Sequence, residues 1–571
     1  MTILETLNNE LIKIFDKLGL DKKYAFFQYS DRPDLSDFQT NCAMPLCKIL
    51  KKSPIDVANL IIPELKKINL FKDVSVAGAG FINVILSDEI LLKNLNSTFD
   101  EKNCGYKNTE KQKTVIIDFS SPNVAKEMHV GHLRSTVIGE SLRRIFIFAG
   151  DKVIADNHLG DWGTNMGMVI EGIRLQYPNI KCFKEGFNED KIDDLNLKPA
   201  DLLNIYKTAN GKAKEDEEFA KKVRETTKNL QDGYKPYRTL WQYFWKVSID
   251  DMKEIYKVLD THFDLWNGES SVHDLIRKMI IDLEKEGFIT VSQGAKIIDL
   301  SEIDLPPALI EKSDGAVMYA SSDLATILDR KEKFNPDLML YVVDYRQSLH
   351  FQQVFASAKK VGYLDKNHIA EHIAFGTMNG QDGKPFKTRA GDVVKLRELI
   401  DEMVEVISKK SQIKDKETIE KIAVACLKFA DLINYRETSY IFDMEQFTNF
   451  EGKTGAYILY SLVRINSILN NCEKFNYEIT EIKTKEEKEL LIELTRFNHI
   501  FKATYEKKAP NYLAEYVYNL SKKFSVFYSA CPINTEKDEN YKKSKISLLY
   551  LSKKYIETSL YLLGINSVEK M

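Results

Sequence analysis

At 571 residues the chain is longer than a single hydrophobic core usually organises, so three or four domains are expected. Hydrophobic residues make up 44% and charged residues 29%, the balance of a folded soluble protein, and apolar runs such as Leu338 to Val343 are far too short to cross a bilayer. A formal net charge of −3 argues against indiscriminate binding to polyanions, DNA included, and leaves RNA recognition to local basic and aromatic patches.

The first twenty residues set apolar positions against Glu5, Asn8, Asn9, Glu10, Lys13 and Asp16 at helical spacing and lack the layout of a signal peptide, so a cytoplasmic protein with no membrane segment is expected. Seven cysteines with no Cys-x-x-Cys pair suit a reducing compartment, and no structural zinc is expected.

In chain order, residues 1–108 read as a small α+β unit: helices Ile3 to Leu18, Asn41 to Ile49 and Pro54 to Lys66, then a strand run from Val74 to Leu86. The polar, turn-rich stretch Glu101 to Lys113 reads as a linker. From Thr114 the pattern becomes strand (Val115 to Phe119), loop, helix (His132 to Phe148), strand (Val153 to Ala155), the order of a nucleotide-binding α/β unit. Further strands are expected at Lys296 to Leu300, Ala316 to Tyr319, Leu338 to Val343 and His372 to Phe375, so residues 166–294, charged and helical, read as an insertion between two halves of one parallel sheet. A Rossmann-like catalytic domain is thus expected over 109–392 and an all-α bundle over 393–571, with helices Val393 to Lys409, Lys416 to Tyr435, Thr454 to Asn471, Glu486 to Tyr505, Pro510 to Ser529 and Ser544 to Leu563.

The sharpest local pattern is Ser120-Ser121-Pro122-Asn123-Val124-Ala125-Lys126-Glu127-Met128-His129-Val130-Gly131-His132, between the first strand of the α/β unit and its helix. A helix N-terminus offers unpaired N–H groups and partial positive charge, Gly131 permits close approach of a nucleotide to the backbone, and two histidines can donate to a phosphoryl group gaining charge. Two incidental histidines on a helix are the bland reading, and the strand-loop-helix setting weighs against it.

This pattern resembles the His-Ile-Gly-His signature of class I aminoacyl-tRNA synthetases. Asn157-His158-Leu159-Gly160-Asp161-Trp162-Gly163-Thr164, Lys312-Ser313-Asp314-Gly315 with Tyr319 and Asp323, Tyr341 to Asp344 with Gln347, and Phe375-Gly376-Thr377-Met378 follow in an order that resembles the arginyl-tRNA synthetases over essentially the whole chain. Gly383 to Gly391 stands where the family carries its second signature, with Thr388 at a position that most class I enzymes fill with lysine. The resemblance implies that Lys126, just ahead of the first signature, compensates. It also implies catalysis by Lys126, His129, His132 and Lys387, and ATP contacts from Lys126, His129, Gly131, His132, Gly376, Met378, Lys384, Lys387 and Arg389, with Mg²⁺ accompanying ATP. Arginine would meet Asp323 at its guanidinium, Tyr319 and Gln347 along the pocket, and Ser121, Asn123 and Asn157 at its amino-acid end.

The chemistry of the ligand agrees, since a planar five-donor guanidinium demands a carboxylate and oriented acceptors. Tyr319 and Asp323 share a face if their segment is helical, whereas a helix N-cap is the bland role for Asp323 or Ser322. The resemblance further implies tRNA(Arg) as partner, met by Phe81 and Asn83 in the first unit and by Tyr457, Tyr460 and Arg464 in the bundle. Strand packing for the first pair and a buried tyrosine stripe for the second are the alternatives, decided by exposure. The expected reaction is ATP-dependent ligation of arginine to tRNA by a monomer. A nucleotidyltransferase without tRNA and a catalytically silent tRNA-binding paralogue are the rivals.

Overall fold

The computed structural model describes residues 2–108, 111–384, 386, 394–473 and 475–571. By packing the chain divides into one unit of Met1–Asn108, Asn449–Tyr561 and Ser567–Met571, and another of Thr109–Thr448 and Leu562–Asn566.

In the first unit a four-stranded antiparallel sheet runs in the order Gln28–Tyr29, Phe38–Thr40, Phe81–Leu86, Phe71–Ala77. The single strand run expected from Val74 to Leu86 is a hairpin, because Gly78-Ala79-Gly80 turns the chain and pairs Ala77 with Phe81. Around it lie helices Ile3–Lys17, Ala43–Leu50, Pro54–Leu65 and Asp88–Asn96, and the C-terminal helices complete the same unit. Asn96, for instance, donates to and accepts from the backbone of Ile479 at 2.9 and 3.0 Å. The helix expected over Glu486 to Tyr505 is two, Lys485–Thr495 and Phe497–Lys507. The Tyr29 hydroxyl donates to the Thr495 carbonyl at 2.9 Å, where a continuing helix would place its own N–H.

In the second unit four strands run parallel in the order Ile369–His372, Leu338–Tyr341, Thr114–Asp118, Lys152–Asp156. Thr114–Asp118 and Leu338–Tyr341 are almost wholly buried, as strands covered on both faces must be. The chain leaves Thr114–Asp118 to one side and returns on the other, so the carboxyl ends of this strand and of Leu338–Tyr341 flank the switch point where such sheets bind ligands. The insertion is helical as expected, with helices Thr164–Gln176, Pro199–Glu215, Glu217–Gln231, Lys235–Val258 and His273–Lys285.

Two expected sheet strands are not in that sheet. Ala295–Ile298 belongs to a separate antiparallel sheet with Thr290–Ser292 and Ala308–Glu311, where Lys296 pairs with Glu284 and Glu311. A parallel core has no room for such a charge. Ala316 to Tyr319 instead follows a tight turn in which Gly315 N donates to the Lys312 carbonyl; it makes one bridge, from Val317 to Glu311, and Tyr319 begins helix Tyr319–Phe334. Helices Leu396–Lys410 and Lys416–Leu432, expected with the terminal bundle, pack in the sheet-bearing unit. The reason is visible at Arg134, a buried guanidinium whose Nε donates to Asp431 at 2.7 Å. A charge out of water requires such a partner.

Candidate active site

The loop after strand Thr114–Asp118 carries Ser120, Ser121 and Ala125 in the left-handed region, at φ of 71°, 47° and 61°. Three non-glycine residues there store strain that surrounding bonds must hold. Ser120 Oγ lies 2.7 Å from both Thr136 Oγ1 and Tyr256 OH. Ser121 N donates to Asn157 Oδ1 at 3.1 Å, and Ala125 N to Ser248 Oγ at 2.9 Å. Asn157 also donates to Tyr256 OH at 3.2 Å and is fully buried, so it secures the loop that carries Ser121. Asn123 is bridged to Gly160 on a neighbouring segment.

The loop delivers the chain to helix Val130–Phe148 with His129 as N-cap. Gly131 N donates to His129 Nδ1 and His129 N donates to His132 Nδ1, both at 3.1 Å, a capping box built from two imidazoles. Their rings stack with centroids 3.9 Å apart. Because each Nδ1 accepts, each ring carries its proton on Nε2 and keeps that N–H as a donor. Burial, the His129 ring and Lys126 push the His132 imidazole down to about 3, and burial with Lys126 lowers His129, so both stay neutral near pH 7. Any Cβ at position 131 would stand 2.8 Å from His129 Cε1, so glycine makes room for the imidazole. Lys126 lies close enough for its charge to act on both rings, and its Nζ sits 4.6 Å from the Tyr206 ring centroid.

At the other strand of the switch point, Tyr319 opens helix Tyr319–Phe334 at 68% exposure, with Asp323 one turn along. The N-cap of this helix is Met318, so neither Ser322 nor Asp323 is the cap. Asp323 Oδ2 meets His350 Nε2 at 2.5 Å. Gln347 is exposed at the N-cap of helix Ser348–Lys360, one turn before His350. Beside Asp323 lies Glu269, whose carboxyl is pushed up to about 7 by burial and by the charges of Asp161 and Asp323. Sequence reasoning missed Glu269 and His350, which no spacing rule links to Asp323. The only local hint for His350 was its place three residues after Gln347.

Asp118, Asp156 and His158 bring ligand atoms within 4.8 Å of one another, as a metal site would. Arg330, buried between the two carboxylates, donates to Asp118 at 2.6 Å and to Asp156 at 2.7 Å. The guanidinium already supplies the positive charge there.

The remaining expected residues are scattered. Gly376 packs against the backbone of Glu437 to Ser439, where a Cβ would meet atoms at 2.8 Å, and Met378 is buried in a strand paired with Tyr440. Both are therefore held by the protein's own packing at those atoms. Lys384 is exposed in a turn closed by Gly380. Lys387, Thr388 and Arg389 lie outside the described residues. Phe81 is half-buried at the hairpin turn, whereas Asn83 is only 7% exposed, which favours the strand-packing alternative at that position.

In the bundle, Tyr460 is 42% exposed and Arg464 stacks 4.4 Å from the Tyr528 ring centroid and 5.6 Å from that of Tyr460. They line a groove of about 770 Å³ with Phe475, Lys542 and Lys543. Tyr457 is not part of that groove; its hydroxyl donates to Ser525 at 3.1 Å on another part of the surface.

Three family models match in succession along the chain: the arginyl tRNA synthetase N terminal domain over residues 1–86, the class I (R) tRNA synthetase catalytic domain over 94–444, and the DALR anticodon binding domain over 458–571. The chain belongs to the arginyl-tRNA synthetases. An arginine–tRNA ligase of Francisella tularensis subsp. holarctica is 40% identical over 581 residues, covering all of both chains, and one of Alkaliphilus oremlandii is 40% identical over 98% of each. The crystal structure of the arginyl-tRNA synthetase of Plasmodium falciparum, 27% identical, superposes with a TM-score of 0.82 over 100% of this chain and 99% of that one. The Thermus thermophilus arginyl-tRNA synthetase, at 21% identity and a TM-score of 0.78, shares the fold. The chain is thus an arginine–tRNA ligase by family, and the parallel sheet, the N-terminal α+β region and the C-terminal helices are the arrangement of that family.

Proposed function

We propose that the switch-point crevice of this arginyl-tRNA synthetase binds ATP against His129, Gly131, His132 and Lys126 and binds arginine between Asp323, Glu269, Tyr319 and Gln347. The arginine carboxylate attacks the α-phosphate in line and pyrophosphate leaves. The 3′-terminal ribose hydroxyl of tRNA(Arg) then attacks the adenylate carbonyl, forming the ester and releasing AMP. Ser121 and Asn123 meet the amino-acid end of the substrate, and Asn157 holds the loop that carries Ser121. Catalysis is positioning plus stabilisation of phosphoryl charge. Mg²⁺ enters with the nucleotide, since the one acidic cluster of metal-like spacing among the described residues already holds Arg330.

Lys387 and Arg389 of the second signature and Lys384 beside them complete the phosphate site, with Gly376 and Met378 bracing the segment that leads to it. The Tyr460 and Arg464 groove takes unpaired bases of the tRNA, Tyr457 meets the tRNA outside that groove, and Phe81 meets the tRNA from the hairpin. The same reading makes the protein a cytoplasmic monomer with neither membrane nor DNA among its partners.

The observation that carries the reading is the two-imidazole cap, which presents neutral Nε2–H donors and a helix terminus at one point. A silent paralogue has no use for it. His129→Ala should lower adenylate formation, followed by pyrophosphate exchange, by roughly 10²-fold or more while tRNA filter binding is nearly unchanged. A parallel loss of tRNA binding would make the cap structural and overturn the reading.

A further inference from the structure

The Gly160-Asp161-Trp162-Gly163 segment stands beside the site, and no step so far uses it. Along one edge it is zipped to the Ser121–Asn123 loop: Val124 N donates to Gly160 O at 3.0 Å and Gly160 N to Pro122 O at 3.3 Å. Along the other edge Leu159 bridges Gly268, with Leu159 N donating to Asn267 O at 2.9 Å and Glu269 N to Leu159 O at 3.2 Å. The segment therefore links the part of the site facing the amino-acid end of arginine to the part facing its guanidinium.

Asp161 is the side chain through which it grips the second part. Only 1% exposed, it accepts Ser270 N at 3.0 Å on one carboxylate oxygen and Ser270 Oγ at 2.7 Å on the other. These bonds cap the turn Glu269–Val272. The carboxylate lies so close to Gly268 that a Cβ there would stand 2.4 Å from Asp161 Oδ1. Trp241 Nε1, from the insertion, donates to the Asp161 carbonyl at 2.9 Å, and the backbone N–H of Trp162 faces the Glu269 carboxylate and favours its ionised form.

We propose that Asp161 is a positioning residue for arginine recognition: by capping the Glu269 turn it holds the Glu269 carboxylate where, with Asp323, it receives the guanidinium. A two-oxygen grip on consecutive donors of one residue fixes the turn's orientation as well as its place. The proposal rests on the reading of Glu269 as a guanidinium ligand, so it needs a test that separates the two.

That test is also electrostatic. The charges facing Glu269 are Asp161 on the capping segment and Asp323 on helix Tyr319–Phe334, the latter paired with His350 on helix Ser348–Lys360, while His158 acts on Asp161. A carboxyl held up at about 7 by burial and two acids binds the guanidinium once it ionises, so kcat/KM for arginine should rise with pH through about 7. Asp161→Asn keeps an acceptor for Ser270 N and removes one negative neighbour, so Glu269 ionises more readily and this limb should move to lower pH. Asp161→Ala removes the cap, so the arginine KM should rise about 10-fold or more at every pH with the ATP KM unchanged. Ser270→Ala, which loses one of the two bonds, should fall between.

Steady-state pyrophosphate exchange across pH 6–9 on these variants and on Glu269→Gln decides the matter. If Glu269→Gln leaves the arginine KM unchanged, Glu269 is not a ligand and the proposal falls with that reading. If Glu269→Gln raises it while Asp161→Asn leaves the pH limb in place and Ser270→Ala leaves the KM in place, Glu269 stands and the positioning role is overturned. Equal rises in arginine and ATP KM for Asp161→Ala would make Asp161 a general structural residue and overturn it as well.

Discussion

Arginine is distinguished from its near relatives at single atoms. Citrulline has the shape without the charge, and lysine has the charge without the fork, so discrimination depends on whether a carboxylate near the ligand is left unpaired. On the proposed reading Asp323, bonded to His350 and flanked by Glu269, makes that test. Asp323→Asn is expected to raise the arginine KM and to narrow the preference for arginine over citrulline, because an amide pairs with a urea as readily as with a guanidinium. Competition by citrulline in arginine-dependent pyrophosphate exchange measures it, and an unchanged arginine KM would remove Asp323 from the pocket. At this scale the sequence was legible where the chemistry is contiguous. His129, Gly131 and His132 sit within four residues, and the reciprocal cap they form is a local structure. Glu269 was not legible, since it reaches Asp323 only after the insertion has folded, from more than fifty residues away. Asp161 stood in plain view within a motif, but its bonds to Ser270 span 109 residues and no local rule encodes them.

Among the elements, the loop entering helix Val130–Phe148 matters most, since its three left-handed residues place Lys126 beside the helix terminus. With threonine at position 388, the second signature lacks one lysine, and on the proposed reading Lys126 supplies that phosphate cation. Lys126→Ala should then depress single-turnover adenylate formation far more than Lys384→Ala, and Thr388→Lys in the Lys126→Ala background should restore part of the loss. A double-mutant cycle reads the coupling, and additive effects without rescue would count against it. Helices and strands with strong periodicity were found to within two or three residues, as Ile3–Lys17 and Leu338–Tyr341 illustrate. The misreadings came from partners that sequence does not show. Tyr29 takes the Thr495 carbonyl and divides one expected helix, and Lys296 finds Glu284 and Glu311 in a sheet of its own.

For the whole molecule, the class of fold and the family followed from the order of motifs, whereas the grouping of helices depends on buried partners far apart in sequence. Arg134 draws Asp431, and with it helix Lys416–Leu432, into the unit of the parallel sheet, while Asn96 ties the N-terminal residues to the segment at Ile479 and Tyr29 ties them to the end of helix Lys485–Thr495. Specificity for one amino acid is the property of the entire chain that this arrangement must produce. Incubation of the protein with ATP, Mg²⁺, total tRNA and each of the twenty radiolabelled amino acids in turn measures it most directly. Arginine alone should appear in the acid-precipitable tRNA fraction; transfer of a different amino acid, or of none, would contradict the account.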